Sequence, residues 1–193
     1  MGIINLPKTN VGDVTQFVAN VRTGAWARYI GWDANCFAVY NNALYYGTSD
    51  GRVMQAETGG QDGGSANYTM TVFPSYNDLG TPAITKHVKM VRPRIQSAYP
   101  VVPQVTVKVD FDTTKPPQPT ASSSAATGAL WDVALWDVAV WPAALNDLSF
   151  WTDAEGFGSM ISPVIQLTLS STVTPDVRLT QTEILYENGN PLG

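Results

Sequence analysis

The tightest constraint on this chain is how often turn residues cut its strand-prone runs. Over the first 58 residues VTQFVANV (14–21), AWARYIGW, NCFAVY, ALYYG and RVMQAE follow one another, none longer than eight residues. Between them stand Arg22-Thr23-Gly24, Asn41-Asn42 and Ser49-Asp50-Gly51. Asn and Gly accept the positive φ of a tight hairpin, so sequential antiparallel pairing is the economical topology. A helix needs an apolar stripe sustained over three turns, and none is present; Pro142 to Leu148 offers one turn at most. The chain is therefore expected to be all-β.

A four-stranded meander of this size is the repeat unit of a β-propeller, and residues 1–58 hold one such unit with no second copy. A single sheet leaves a face uncovered, so either the second half of the chain or another chain has to pack on it. ETGGQDGGSAN (57–67) carries four Gly and nothing apolar larger than Ala, which places a linker at 59–67. Residues 68–193 then read as a β-sandwich-like domain. In QVTVKVDF, Val105, Val107, Val109 and Phe111 fall on one face, with Thr106, Lys108 and Asp110 on the other. Pro93, inside KHVKMVRPRIQSAY, marks an edge, a bulge or an interruption. In MISPVIQLTLSS, Ile165, Leu167 and Leu169 are in step, and VRLTQTEILYE is a further strand. The Pro- and Ser-rich stretch 112–129 cannot form a core and reads as a long surface loop.

Charge narrows the chemistry. The net charge is −5, and only 14% of residues are charged. Lys86, Lys89, Arg92, Arg94 and Lys108 lie between positions 86 and 108, whereas 116–177 holds no base. Those bases either face DNA or an acidic partner, or form the solvated side of a sheet. The one cysteine, Cys36, excludes an intramolecular disulfide and a thiolate zinc cluster, and its apolar neighbours predict a buried, inert thiol. The one histidine, His87, has no nucleophile near it in sequence, and no cofactor, metal or catalytic set is expected. No run approaches a membrane span, so no membrane anchor is expected either.

ALWDVALWDVAVW (129–141) is a pentapeptide repeat that places Trp131, Trp136 and Trp141 five residues apart. Spacing of five fits neither a helix face nor one face of a flat strand; one bulge per repeat would realign the rings. Asp132 and Asp137 are candidate partners for the indole N–H groups. Two readings stand for this segment, an aromatic ladder in the core and an interface.

The order TGAWARYIGWDANCFAVYNNALYYGTSDGRVMQAETGGQDGG, KHVKMVRP, GALWDVALWDVAVW, GFGSMI resembles the C-terminal region of tail-tube, nozzle or DNA-stabilising structural proteins of tailed bacteriophages. The resemblance covers about residues 14–187. It implies a propeller-blade-like antiparallel meander followed by a β-sandwich-like domain, with Trp26, Trp32, Phe37, Tyr45, Tyr46, Gly47, Asp50 and Gly51 as blade framework. The Trp repeat would belong to the following domain. It further implies a non-enzymatic virion component, assembled in the host cytoplasm as a ring of copies around the DNA exit channel. Neighbouring tail, adaptor or portal proteins would be its partners, with passing contact to DNA. In such proteins a larger body precedes this region, and this chain opens at what looks like the last blade. The alternative function is a carbohydrate- or receptor-binding module of the tail tip.

Overall fold

A computed structural model describes residues 1–6, 15–56, 58, 61–62, 66–97, 101–117, 146–169 and 177–191. Among them are fourteen strands and no helix, in antiparallel sheets of which none closes into a barrel. The chain divides into two compact units, Met1–Ala66 and Asn67–Gly193.

In the first unit β1 (Gly2–Asn5), β2 (Thr15–Ala19) and β3 (Trp26–Ile30) form one sheet. A second sheet holds β4 (Ala34–Tyr40), β5 (Ala43–Thr48) and β6 (Val53–Gln55). The turns are those the sequence predicts. Asn41 and Asn42 take φ of 48° and 61° between the paired Tyr40 and Ala43, and Gly51 takes 84°. Asn20 Oδ1 accepts from the backbone N–H of Arg22 and Thr23 at 3.0 and 3.3 Å, which shapes the β2–β3 turn.

The single four-stranded sheet expected over residues 1–58 is instead this pair of three-stranded sheets. Two causes are visible. MGIIN supplies a strand too short and too little alternating to stand out. And the chain does not make a hairpin between β3 and β4: Gly31 takes φ of 101°, and Trp32 turns inward to 3% exposure. Its ring stacks on Tyr46 at 5.2 Å and meets the edge of Tyr29 at 5.2 Å. Amide side chains replace the missing strand ladder. Buried Gln16 donates to Trp32 O and to Asn5 Oδ1, both at 2.9 Å, and Asn5 Nδ2 donates to Ala34 O at 2.8 Å. Burial of the Gln16 amide is made tolerable by these bonds to its N–H groups, although its Oε1 is without a partner among the described residues.

The second unit is built around two facing sheets. One runs β10-β13-β8, with β8 Ala66–Val72, β10 Gln104–Val109 and β13 Ile161–Leu169; the two-residue β7 (Gln61–Asp62), which precedes the boundary at Ala66, follows β8 in the strand order. In the other, the long β9 (Ile84–Ser97) has β14 (Val177–Pro191) along one side. On its other side β11 (Asn146–Ser149) and β12 (Thr152–Gly158) follow one another. Pro93 falls at their junction, since Arg94 pairs Ser149 and Val91 pairs Thr152. The interruption expected at this proline is thus a change of neighbouring strand.

Val88, Val91 and Ala154 from the second sheet meet Val105, Val107 and Ile161 from the first. Ile95, Val101, Leu167 and Leu169 continue the core. Each such side chain contributes about 1.5–3 kcal/mol by leaving water. All nine residues of β13 are buried, so it lies covered on both faces. One face carries Ile161, Ile165, Leu167 and Leu169. On the other, Ser162 Oγ donates to Pro74 O and Thr168 meets Thr69, both at 2.8 Å, and Gln166 Nε2 donates to Thr71 Oγ1 at 3.3 Å while its Oε1 is without a partner among the described residues.

The alternation in β10 holds for Val105, Val107 and Val109 but fails at Phe111, which is 65% exposed. Asp110 and Phe111 take φ of 48° and 67°, so the strand ends in a left-handed turn that throws the ring outward onto Tyr76. That turn is fastened by Asp110, whose carboxylate accepts from Ser159 N, Ser159 Oγ and Met160 N at 2.9–3.1 Å. Those bonds, the one from Met160 foremost, hold its carboxyl below the usual range. A lowered folded-state pKa adds stability above the unfolded value, about 3.9, and that stability is lost as pH falls toward the folded value. Urea unfolding of Asp110→Asn is therefore expected to show lower stability at neutral pH and a smaller loss on acidification than the parent. Equal pH slopes for the two proteins would reject the role.

Candidate assembly surface

Lys86, Lys89, Arg92 and Arg94 all stand on β9 and do not share one face. A bulge steps the strand between Val88 and Met90, where two residues of β9 are matched by a single step in β14. Lys86 and Val88 point into the sandwich on one side of the bulge, and Val91, Ile95 and Ser97 do so beyond it. Lys89, Arg92 and Arg94 consequently lie on the outer face and Lys86 does not. Lys86 is completely buried, its ammonium donating to Ser159 O at 2.9 Å and to Thr81 O. As a DNA- or partner-facing base it is corrected to an internal fastener. Lys108 stands apart on β10, where its ammonium donates to Asp112 at 2.8 Å.

The outer bases of β9 are matched by acids from β14. Arg92 binds Glu183 through Nε at 2.9 Å and through Nη2, Arg94 Nε reaches the other oxygen at 2.8 Å, and Lys89 lies 3.5 Å from Glu187. Arg92 first, and then Arg94, hold the Glu183 carboxyl below its ordinary range. Asp147, Asp153 and Glu155 occupy the outward positions of β11 and β12, so acids outnumber bases on this face. Phosphate recognition needs uncompensated cations, which this arrangement does not offer. The Arg92 guanidinium also sits 4.7 Å above the half-exposed Trp151 ring, and His87 meets the edge of exposed Phe157 at 6.1 Å. Trp151 and Glu183 escaped notice in the sequence because both belong to segments whose approach to β9 is long-range. Among the described residues, no group of three His, Cys, Asp or Glu is placed to hold a metal ion.

The first unit offers a different surface. On the sheet of β1 to β3 the register puts Ile4, Phe17, Trp26 and Ile30 on the outward side together with exposed Arg28, and Trp26 is 61% exposed. On the sheet of β4 to β6, Cys36, Ala38, Tyr40, Ala43, Tyr45, Gly47, Val53 and Gln55 share the outer face, without a charge among them. Tyr40 and Val53 remain about three-quarters exposed. Cys36 is exposed here, not buried as its neighbours in sequence suggested; alternation on β4 turns Phe37 inward and Cys36 outward, over Gly47. Of the expected blade framework, Trp32 and Tyr46 are core, Phe37 packs against that core, and Asp50 and Gly51 form the β5–β6 turn. Trp26 is surface. Exposed apolar side chains on two sheets of one small unit mark a candidate interaction surface.

Trp131, Trp136, Trp141, Asp132 and Asp137 lie outside the described residues, as does the loop beyond residue 117. Compared with protein-family models, with curated proteins and with solved structures, the chain has no match in any of the three.

Proposed function

We propose that this chain is a structural component of a bacteriophage virion, in the tail or head–tail region, and that it acts by assembling into an oligomer around the DNA exit channel. The observation that carries the assembly part is the uncharged, exposed outer face of the β4–β6 sheet, together with the exposed Ile4, Phe17, Trp26 and Ile30 that flank Arg28 on the sheet of β1 to β3. The phage part rests on the sequence resemblance. It is supported by the framework roles of Trp32, Tyr46, Asp50 and Gly51 within the matching segment. Bases neutralised by Glu183 and Glu187 favour a surface past which DNA slides over one that grips it. The Trp131, Trp136 and Trp141 repeat supplies a further candidate contact to tail, adaptor or portal proteins.

Native mass spectrometry over a range of concentrations is expected to give a ring-sized complex, or co-assembly with partner tail proteins. Gold labelling of tagged virions is expected to decorate the tail or neck. A soluble monomer or trimer that binds host glycans would replace this reading with the carbohydrate-binding module.

A further inference from the structure

The first unit has four outer strand edges: β1 and β3 on one sheet, β4 and β6 on the other. Open edges invite pairing, and folded proteins usually blunt them with short length, charge or proline. β1 and β6 are short, at four and three residues. β3 carries Arg28 at its centre, so two copies of β3 paired antiparallel would set like charges opposite one another. β4 is the exception, with seven residues, ANCFAVY, and neither a charge nor a proline. Its one irregularity is the shift between Ala34 and Cys36; from Cys36 to Tyr40 it pairs residue for residue with β5. Among the described residues no strand pairs with its other edge. Val39 and Tyr40 are 75% and 74% exposed.

We propose that this edge pairs antiparallel with β4 of a second copy of the chain, about a two-fold axis at Ala38. The occupant follows from the edge itself. A two-fold contact requires a patch complementary to itself, and a neutral antiparallel strand is one, because every N–H finds a C=O of the mate and no charge is opposed. Centred on Ala38, the contact sets small side chains at the axis, Phe37 beside Val39 of the second copy, and Cys36 beside its Tyr40. Aromatic–aliphatic cross-strand pairs of this kind are favourable. The two β4–β6 sheets become one continuous sheet whose outer face stays uncharged. An edge contact of this length belongs to the small interfaces, below about 1,200 Å². It therefore forms at high local concentration, as within an assembly. The inference rests on the assembly reading and names one contact within it: the two-fold contact joins copies in pairs, and a ring needs a second, different contact between the pairs.

The test uses the full chain with Cys36→Ser and Ala38→Cys. Directly opposed residues in an antiparallel pair have Cα atoms about 4.5–5.5 Å apart, within the span of a disulfide. Mild oxidation is expected to convert most of this protein to a covalent dimer on a non-reducing gel. A control with Cys36→Ser and Val53→Cys, exposed on the same face but at β6, is expected to stay uncrosslinked. In the parent, Ala38→Lys is expected to weaken self-association at least tenfold while leaving the far-UV circular dichroism unchanged. If the chain assembles but the Ala38→Cys protein crosslinks no better than the Val53→Cys control, the β4 contact is wrong and the assembly reading survives. If the parent is monomeric at every concentration, both fall.

Discussion

Gly156→Ala is expected to destabilise the second unit by about 3 kcal/mol, the upper end of what overpacking costs in a closed core. β12 crosses so near β10 that an added Cβ would overlap Val107 Cγ1 and stand 2.9 Å from Val107 Cβ. A real Cβ does not approach that closely, so a strand has to move, and β12 is tied to β9 by pairs on either side of this position. The clash is with the buried, β-branched Val107, whose χ1 is restricted. Removing the obstacle should therefore help. Val107→Ala alone loses buried area and is expected to be destabilising, yet the double variant should be more stable than the two separate losses predict. Urea unfolding followed by tryptophan fluorescence measures all three. A Gly156→Ala protein as stable as its parent would mean that β12 and β10 do not pack this closely.

Lys86→Met should cost a similar amount, about 3 kcal/mol, although methionine is apolar and of comparable length. The ammonium group donates to Ser159 O and Thr81 O, and Asp110 receives part of its stabilisation from the same positive charge. Without it Ser159 O loses this donor, Thr81 O keeps only the N–H of Ile84 among the described residues, and a carboxylate loses its nearby cation. Lys89→Met is the comparison. Lys89 is exposed, and its 3.5 Å pair with Glu187 is of the surface kind that contributes little. Its replacement is expected to change stability by less than about 0.5 kcal/mol. Equal effects at the two positions, read from the same unfolding curves, would contradict the internal role of Lys86.

These two lysines also mark where the sequence is legible and where it is not. Strict alternation along KHVKMVRPR sets Lys86, Arg92 and Arg94 on one face and Lys89 on the other. The bulge before Met90 reverses that phase, and nothing in the local pattern announces it. The acids that neutralise the outer bases arrive on β14, far along the chain, so no short-range reading connects Arg92 with Glu183. Features governed by neighbours in sequence fared better. The Asn41-Asn42 hairpin, the Gly51 turn and the inward valines of β10 all follow from φ preference and period-two burial. Phe111 and Cys36 depart from expectation for opposite reasons: a left-handed turn cuts the pattern short at the first, and at the second the alternation of β4 outweighs the apolar neighbours. The division of residues 1–58 into two sheets depends on Gly31 and on the amides of Gln16 and Asn5, whose contacts cross between strands.

The pairing of β9 with β14 bears on the order in which the protein is made. Ser97 meets Val177 and Ile84 meets Pro191, so β9 leaves the ribosome long before the strand that completes its sheet. Until then one side of a fourteen-residue strand lacks its mate, while Val88, Val91 and Ile95 await the rest of their core. Pairing over such separations is slow and leaves adhesive intermediates. The second unit therefore cannot form until β14 is available, and a nascent chain has to be shielded or kept dilute until Val177–Pro191 has emerged.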